Sequence, residues 1–126
     1  RFLRNSGKVG FYMSSGVHEK YHDAGNSGSA ITLDLNNGST QKLTLTAACT
    51  LAFSNTPTSG KAYGFTLLIA QDATGSRVVT WPSSVKWSNG TMFTLSTLAN
   101  KVDAISMFTV DGGITWYAGA VGKSFG

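Results

Sequence analysis

From Ser29 to Leu45 hydrophobic and polar residues alternate at every second position, with Ile31, Leu33 and Leu35 before the turn-forming Asn36-Asn37-Gly38-Ser39 and Leu43 and Leu45 after it. A period of two puts the apolar set on one face of a strand. Two such runs around an Asn- and Gly-containing turn predict a hairpin. A further strand is expected over Thr50 to Ser54, ended by Asn55-Thr56-Pro57, because proline cannot donate to a ladder. The segment from Ala62 to Gln71, AYGFTLLIAQ, is nearly all apolar. That suits a strand covered on both faces and marks the centre of the core. Asp72-Ala73-Thr74-Gly75 then turns the chain into Arg77 to Trp81, Pro82 stops that strand, and Val85-Lys86-Trp87 precedes a second hairpin signal, Asn89-Gly90. After a looser stretch, Lys101 to Val110 and Ile114 to Val121 form a closing pair around Asp111-Gly112-Gly113. No window carries the three-and-four spacing of an amphipathic helix, and no fixed period marks a solenoid or propeller. The pattern predicts an all-β fold of about eight strands, an antiparallel β-sandwich or jelly roll.

Residues 1–28 depart from this pattern. Glycines 7, 10, 16, 25 and 28 punctuate them, and only Val9 to Met13 has strand character. They read as an extended N-terminal arm, residues 1–28, ahead of a compact module, residues 29–126.

Charged residues make up only 13% of the chain, against about 25% in an average soluble protein. Few charges repel a neighbour, so the surface suits association. The net charge of +4 is spread evenly, +2 in residues 1–28 and +2 in the remainder, without a run of Lys or Arg. A phosphate-tracking groove needs clustered cations, so nucleic-acid binding is not expected. The apolar runs fall far short of the ~20 residues of a membrane helix, and no membrane insertion is expected. Arg1-Phe2-Leu3-Arg4-Asn5 leads into Gly and Ser, so no export leader is expected there. Cys49 is the single cysteine; an intrachain disulfide is impossible, and Leu51 and Phe53 nearby point to a small buried hydrophobe.

Four motifs invite chemistry. His18-Glu19-Lys20-Tyr21-His22 spells H-E-x-x-H, in which two imidazoles one helical turn apart share a zinc ion and the glutamate activates water. The motif requires a helix, and the space between Gly16 and Gly25 allows at most two turns with no amphipathic partner. His18, Glu19 and His22 are therefore read as a chance match, with no metal, cofactor or catalytic residue expected. Thr109-Val110-Asp111-Gly112-Gly113-Ile114-Thr115-Trp116 fits the Asp-box turn found in sialidases and in many unrelated β proteins. Here Asp111 can accept turn N–H groups, Gly112 and Gly113 permit positive φ, and Trp116 packs the hairpin, so the motif is a folding device. Arg77 is the only arginine after residue 28, which leaves no arginine cluster for sialidase chemistry. Trp81, Trp87 and Tyr117 are candidate ligand or interface aromatics, since pyranose rings present C–H groups to aromatic faces. Asn37-Gly38-Ser39 and Asn89-Gly90-Thr91 match the N-glycosylation acceptor but coincide with tight turns.

From Gly25 to Phe125 the chain resembles the C-terminal module of bacteriophage tail-fibre and other virion proteins. The most specific pieces are Gln71-Asp72-Ala73-Thr74-Gly75-Ser76-Arg77, Thr80-Trp81-Pro82, Val85-Lys86-Trp87 and Asp111-Gly112-Gly113-Ile114-Thr115-Trp116-Tyr117. The resemblance implies a non-enzymatic virion component, assembled in the host cytoplasm, forming a homotrimer and contacting other virion proteins. Tail-fibre and capsid-decoration or cement roles both remain open, because a short glycine-punctuated arm stands where a fibre has a long shaft. A carbohydrate-binding module for host surface glycan is the alternative, and a small zinc hydrolase the remote one.

Overall fold

The computed structural model describes residues 2–5, 8–11 and 16–126, with side chains from Gly16 onward. Strands β1 (Phe2–Asn5) and β2 (Lys8–Phe11) pair antiparallel in a small sheet of their own. Of the strand expected from Val9 to Met13, residues 12 and 13 lie outside the described residues, as do residues 1, 6, 7, 14 and 15 of the expected arm. Nine strands build the module: β3 (Tyr21–Asn26), β4 (Ala30–Asp34), β5 (Thr40–Leu45), β6 (Cys49–Ser54), β7 (Tyr63–Gln71), β8 (Val79–Thr80), β9 (Val85–Trp87), β10 (Val102–Thr109) and β11 (Trp116–Phe125). They form a six-stranded sheet in the order β3-β5-β7-β10-β11-β9 and a three-stranded sheet in the order β4-β6-β8.

The strand positions agree with the sequence except for β3, which lies within the residues expected to form the arm and joins the larger sheet through β5; the pairing does not agree. From β3 to β8 the chain steps from one sheet to the other at every turn, so β3, β5 and β7 stack parallel in the larger sheet while β4, β6 and β8 stack parallel in the smaller. The expected antiparallel order holds only for β7-β10-β11, since β9 also joins β11 in parallel. A parallel pair needs a long crossover. Here the crossover is itself a strand of the opposite sheet, and that gives a solenoid-like winding. The winding leaves no fixed repeat: pairing joins Tyr21 to Thr40 and Thr40 to Thr66, steps of 19 and 26 residues.

The predicted hairpin at Asn36 to Ser39 is therefore an arch between sheets. Leu35–Asn37 makes a 3-10 turn capped by Asp34, whose carboxylate accepts from the Asn36 amide (2.8 Å) and from Asn55 Nδ2 (2.8 Å). Buried Gln41 donates its amide to the carbonyls of Asp34 (2.7 Å) and Gly38 (3.1 Å), which fixes the arch from inside. The Asn89-Gly90 signal likewise produces a 3-10 turn over Ser88–Gly90, with Asn89 at φ 59°, leading into an irregular loop over residues 91–101. No second hairpin forms there, because β9 runs parallel to β11.

Alternate residues of both sheets meet in one core. Leu43, Leu45, Phe65, Leu67, Ile69, Ile105, Met107 and Trp116 come from the larger sheet, and Leu33, Cys49, Leu51 and Val79 from the smaller. Across the larger sheet, Gln41, Leu67 and Ile105 lie in one register row and Leu43, Ile69 and Asp103 in the next. Tyr21–Asn26, where no strand is apparent in the sequence, is the edge strand that carries Ala24 onto this core. Among the described residues no helix is long and apolar enough to cross a membrane.

Candidate binding face

The β10-β11 hairpin positions Asp111, Gly112, Gly113, Trp116 and Tyr117 of the residues that the sequence singled out. Its turn is closed by Thr109 and Asp111: Thr109 Oγ1 donates to Asp111 Oδ1 (2.9 Å) and accepts from the Gly113 amide (2.9 Å), while Asp111 Oδ1 accepts from the Thr115 amide (2.9 Å). Gly112 and Gly113 take φ values of 74° and 85°, in the left-handed region. A Cβ on Gly113 would lie 2.6 Å from Thr56 Cγ2, so the turn also needs glycine to seat against the loop after β6. Trp116 enters the core beside Phe53 and Tyr63, with ring centroids 5.6 and 6.2 Å away. These residues make a latch between hairpin and core.

The latch carries a pH signature. The Thr115 amide, helped by the Thr109 hydroxyl, holds Asp111 below the usual carboxylate range against partial desolvation. The Arg77 guanidinium with the Gly75 amide does the same for Asp72, and the Asn55 amide group with the Asn36 amide for Asp34. A carboxyl whose folded pKa is depressed contributes stability that is complete above its unfolded pKa, about 3.9. That contribution is lost as pH falls through the folded value. Tm should therefore be nearly level from about pH 7 to pH 5 and fall below about pH 4, with a shallower fall in Asp111→Asn. Identical acid slopes for Asp111→Asn and the parent chain in a Tm-against-pH series would remove Asp111 from this account.

Trp81 and Trp87 are turned toward the core. They meet edge to face at 5.0 Å, Trp87 stacks on Phe93 at 6.4 Å, and all three pack against the buried cluster. Tyr117 is different. It points to the outer face of the larger sheet, 49% exposed, beside Phe108 on β10, 51% exposed, with centroids 5.2 Å apart and planes 32° from parallel. Phe108 was not among the candidates, although the alternation of β10 contains it: buried Ile105, Met107 and Thr109 face inward, so Ser106 and Phe108 face out.

The register explains the shape around this pair. One row across the outer face reads Gly64, Phe108, Tyr117, Lys86, and the next reads Thr66, Ser106, Gly119. Side chains stand roughly perpendicular to a sheet, so two rings beside glycine and serine form a step. The step borders an open groove of about 600 Å³ that reaches Trp87 and Ser88. That volume falls in the range of roughly 300–1,000 Å³ common to small-molecule sites. Lys86, on its rim, donates to the Ser83 carbonyl (2.9 Å).

His18 and Glu19 lie in non-helical chain and His22 in β3. On extended backbone four residues span about 13 Å. The shared face that H-E-x-x-H requires is not built. Glu19 instead accepts from the Ser39 hydroxyl (2.8 Å). Among the described residues no group of three or more His, Cys, Asp or Glu could hold a metal ion. Cys49 is buried and free.

Residues 28–113 match the family model described as "Putative phage tail fibre C-terminal domain". No curated protein and no solved structure matches the chain.

Proposed function

The chain belongs to the phage tail fibre C-terminal domain family, and from that membership we propose that it is a homotrimeric, non-enzymatic contact module at the end of a tail fibre, assembled with other virion proteins in the host cytoplasm. The observation that carries this reading is the family match over residues 28–113. The structure adds physical support. Its side-chain hydrogen bonds serve arches, turns and loop anchorage, and each sheet ends on one side in a short strand, β8 or β9, that limits uncontrolled edge pairing there, with β3 and β4 at the other edges. Low charge permits close approach of copies, and exposed Val78, Met92 and Leu98 offer apolar surface for it. The residues before β3 link the module to the rest of the particle. A capsid-decoration role has no comparable support.

Two measurements test the reading. Light scattering on the purified chain should give three times the chain mass, and antibody raised against it should label the distal tail of intact particles in electron micrographs. A stable monomer that labels no tail, or label confined to the capsid shell, would overturn it.

A further inference from the structure

We propose that the groove beside Phe108 and Tyr117 is a saccharide site that selects acidic sugars. This rests on the reading of the chain as a contact module and names the chemistry it contacts. Three observations on the outer face carry it. The rings of Phe108 and Tyr117 lie side by side and tilted by 32°, each about half exposed, and Gly64 beside Phe108 and Gly119 along β11 leave them bare. Such a surface matches the apolar C–H face of a pyranose and has no role in the core. Hydroxyl groups of Ser88, Ser106 and Tyr117 line the same groove, where they can meet ring hydroxyls. Among the described residues, Lys86 is the only charged one on the groove wall. It donates one N–H to the Ser83 carbonyl, and an ammonium group carries two more donors that can meet a ligand. A groove whose described residues bring one ammonium group and no carboxylate complements an anion and gives a neutral sugar no such gain.

Trp81 and Trp87, the more obvious stacking residues in the sequence, are occupied by one another and by Phe93. The site therefore depends on a cross-strand pair that neither β10 nor β11 could make alone.

The test is titration of the purified full chain with three sets of oligosaccharides of matched length: uronate-bearing, phosphate-bearing and neutral. At least one acidic set should bind about tenfold or more tightly than the neutral set at low salt, and added salt should reduce the difference. Tyr117→Ala and Phe108→Ala should each weaken binding about tenfold. Both side chains are exposed, so Tm should stay near the parent value. Lys86→Gln should remove the acidic preference and leave any neutral binding. Absence of binding to all three sets, or binding unchanged in both aromatic variants, would overturn the site. Equal binding of acidic and neutral sets would overturn the acidic selectivity. A concentration-dependent mass abolished by Tyr117→Ala without any sugar would assign the face to a second copy and also overturn the proposal. Tail labelling is read separately on particles, so saccharide binding without tail label would sink the fibre reading alone, and tail label without binding would sink only this site.

Discussion

Trp116→Ala should lower stability by about 3–5 kcal/mol, as removal of a fully buried indole does when the site cannot collapse around the cavity. Trp116 is 1% exposed and stands on β11 of the larger sheet, yet it packs against Phe53 on β6 of the smaller one. Phe53 in turn meets Phe65 edge to face at 5.8 Å, and Tyr63 meets the indole nearly edge to face. A cavity here would be bounded by strands held in two hydrogen-bonded sheets, which resist moving inward. For a chain of this length the expected fall in Tm is roughly 10–20 °C. Trp116→Phe keeps the ring contact with Phe53 and should lose less than about half as much. The neighbouring residue sharpens the test, because Tyr117→Ala, one position away on the opposite face, should stay within about 0.5–1 kcal/mol. Urea melts of the three variants decide it through Cm at constant m. Similar losses for Trp116→Ala and Tyr117→Ala would mean that the two faces of β11 are wrongly assigned.

That contrast also shows what the sequence could reveal. Alternation specifies which residues face a core, and it located β4 and β5, where Ile31, Leu33, Leu35, Leu43 and Leu45 recur at period two; β7 reads instead as a continuous apolar run suited to cover on both faces, and the structure buries Phe65, Leu67 and Ile69 while Gly64 is exposed and Thr66 and Leu68 are half-buried. Alternation does not specify the neighbour. Leu33 and Leu43 would face a core equally well in a hairpin or on two sheets facing each other, so Asn36 to Ser39 read as a hairpin and proved to be an arch. The winding also leaves unequal steps between paired strands, and no period was there to find. β3 escaped notice for a different reason. Tyr21-His22-Asp23-Ala24-Gly25-Asn26 is held by its backbone to β5 at a sheet edge and contributes only Ala24 to the core, so it shows no apolar stripe. At the binding face, the tryptophans drew attention by size and were already used in packing. Phe108 was legible from the parity of β10, but its partnership with Tyr117 depends on the hairpin register set by the Asp111 turn.

The second large effect is expected at Asp103, where a buried carboxylate organises chain that has no regular structure. Asp103 is 2% exposed, beside the register shift between β10 and β11. It accepts from the Ser96 amide (2.7 Å), the Ser96 hydroxyl (2.6 Å) and the Ser124 amide (2.9 Å), and the two serine hydroxyls lie 2.8 Å apart. Gln71 grips the same loop from β7, donating to the carbonyls of Ser96 and Arg77 (2.9 Å each) and accepting from the Arg77 amide (3.0 Å). Residues 91–101 are thus anchored, where a ladder is absent, by these side chains together with backbone bonds from the Ser76 amide to the Thr97 carbonyl (2.7 Å), from the Gln71 amide to the Lys101 carbonyl (2.9 Å) and from the Asn100 amide to the Asp72 carbonyl (3.1 Å). Asp103→Ala takes the acceptor from the buried Ser96 amide and from the part-buried Ser124 amide, and leaves the Ser96 hydroxyl only the Ser124 hydroxyl as a partner. Each buried unsatisfied donor costs about 1–3 kcal/mol, and partial entry of water offsets some of it, so a net loss of about 2–4 kcal/mol is expected. Ser96→Ala removes only the hydroxyl and should cost about 1 kcal/mol. Hydrogen exchange supplies a readout that a general loss of packing would not produce: the Ser96 and Ser124 amides should quicken in Asp103→Ala by a larger factor than the β5–β7 ladder, whose amides quicken only as far as the global loss of stability requires. A loss below about 0.5 kcal/mol, or exchange that quickens equally in β5 and at Ser96, would show that Asp103 does not hold the loop.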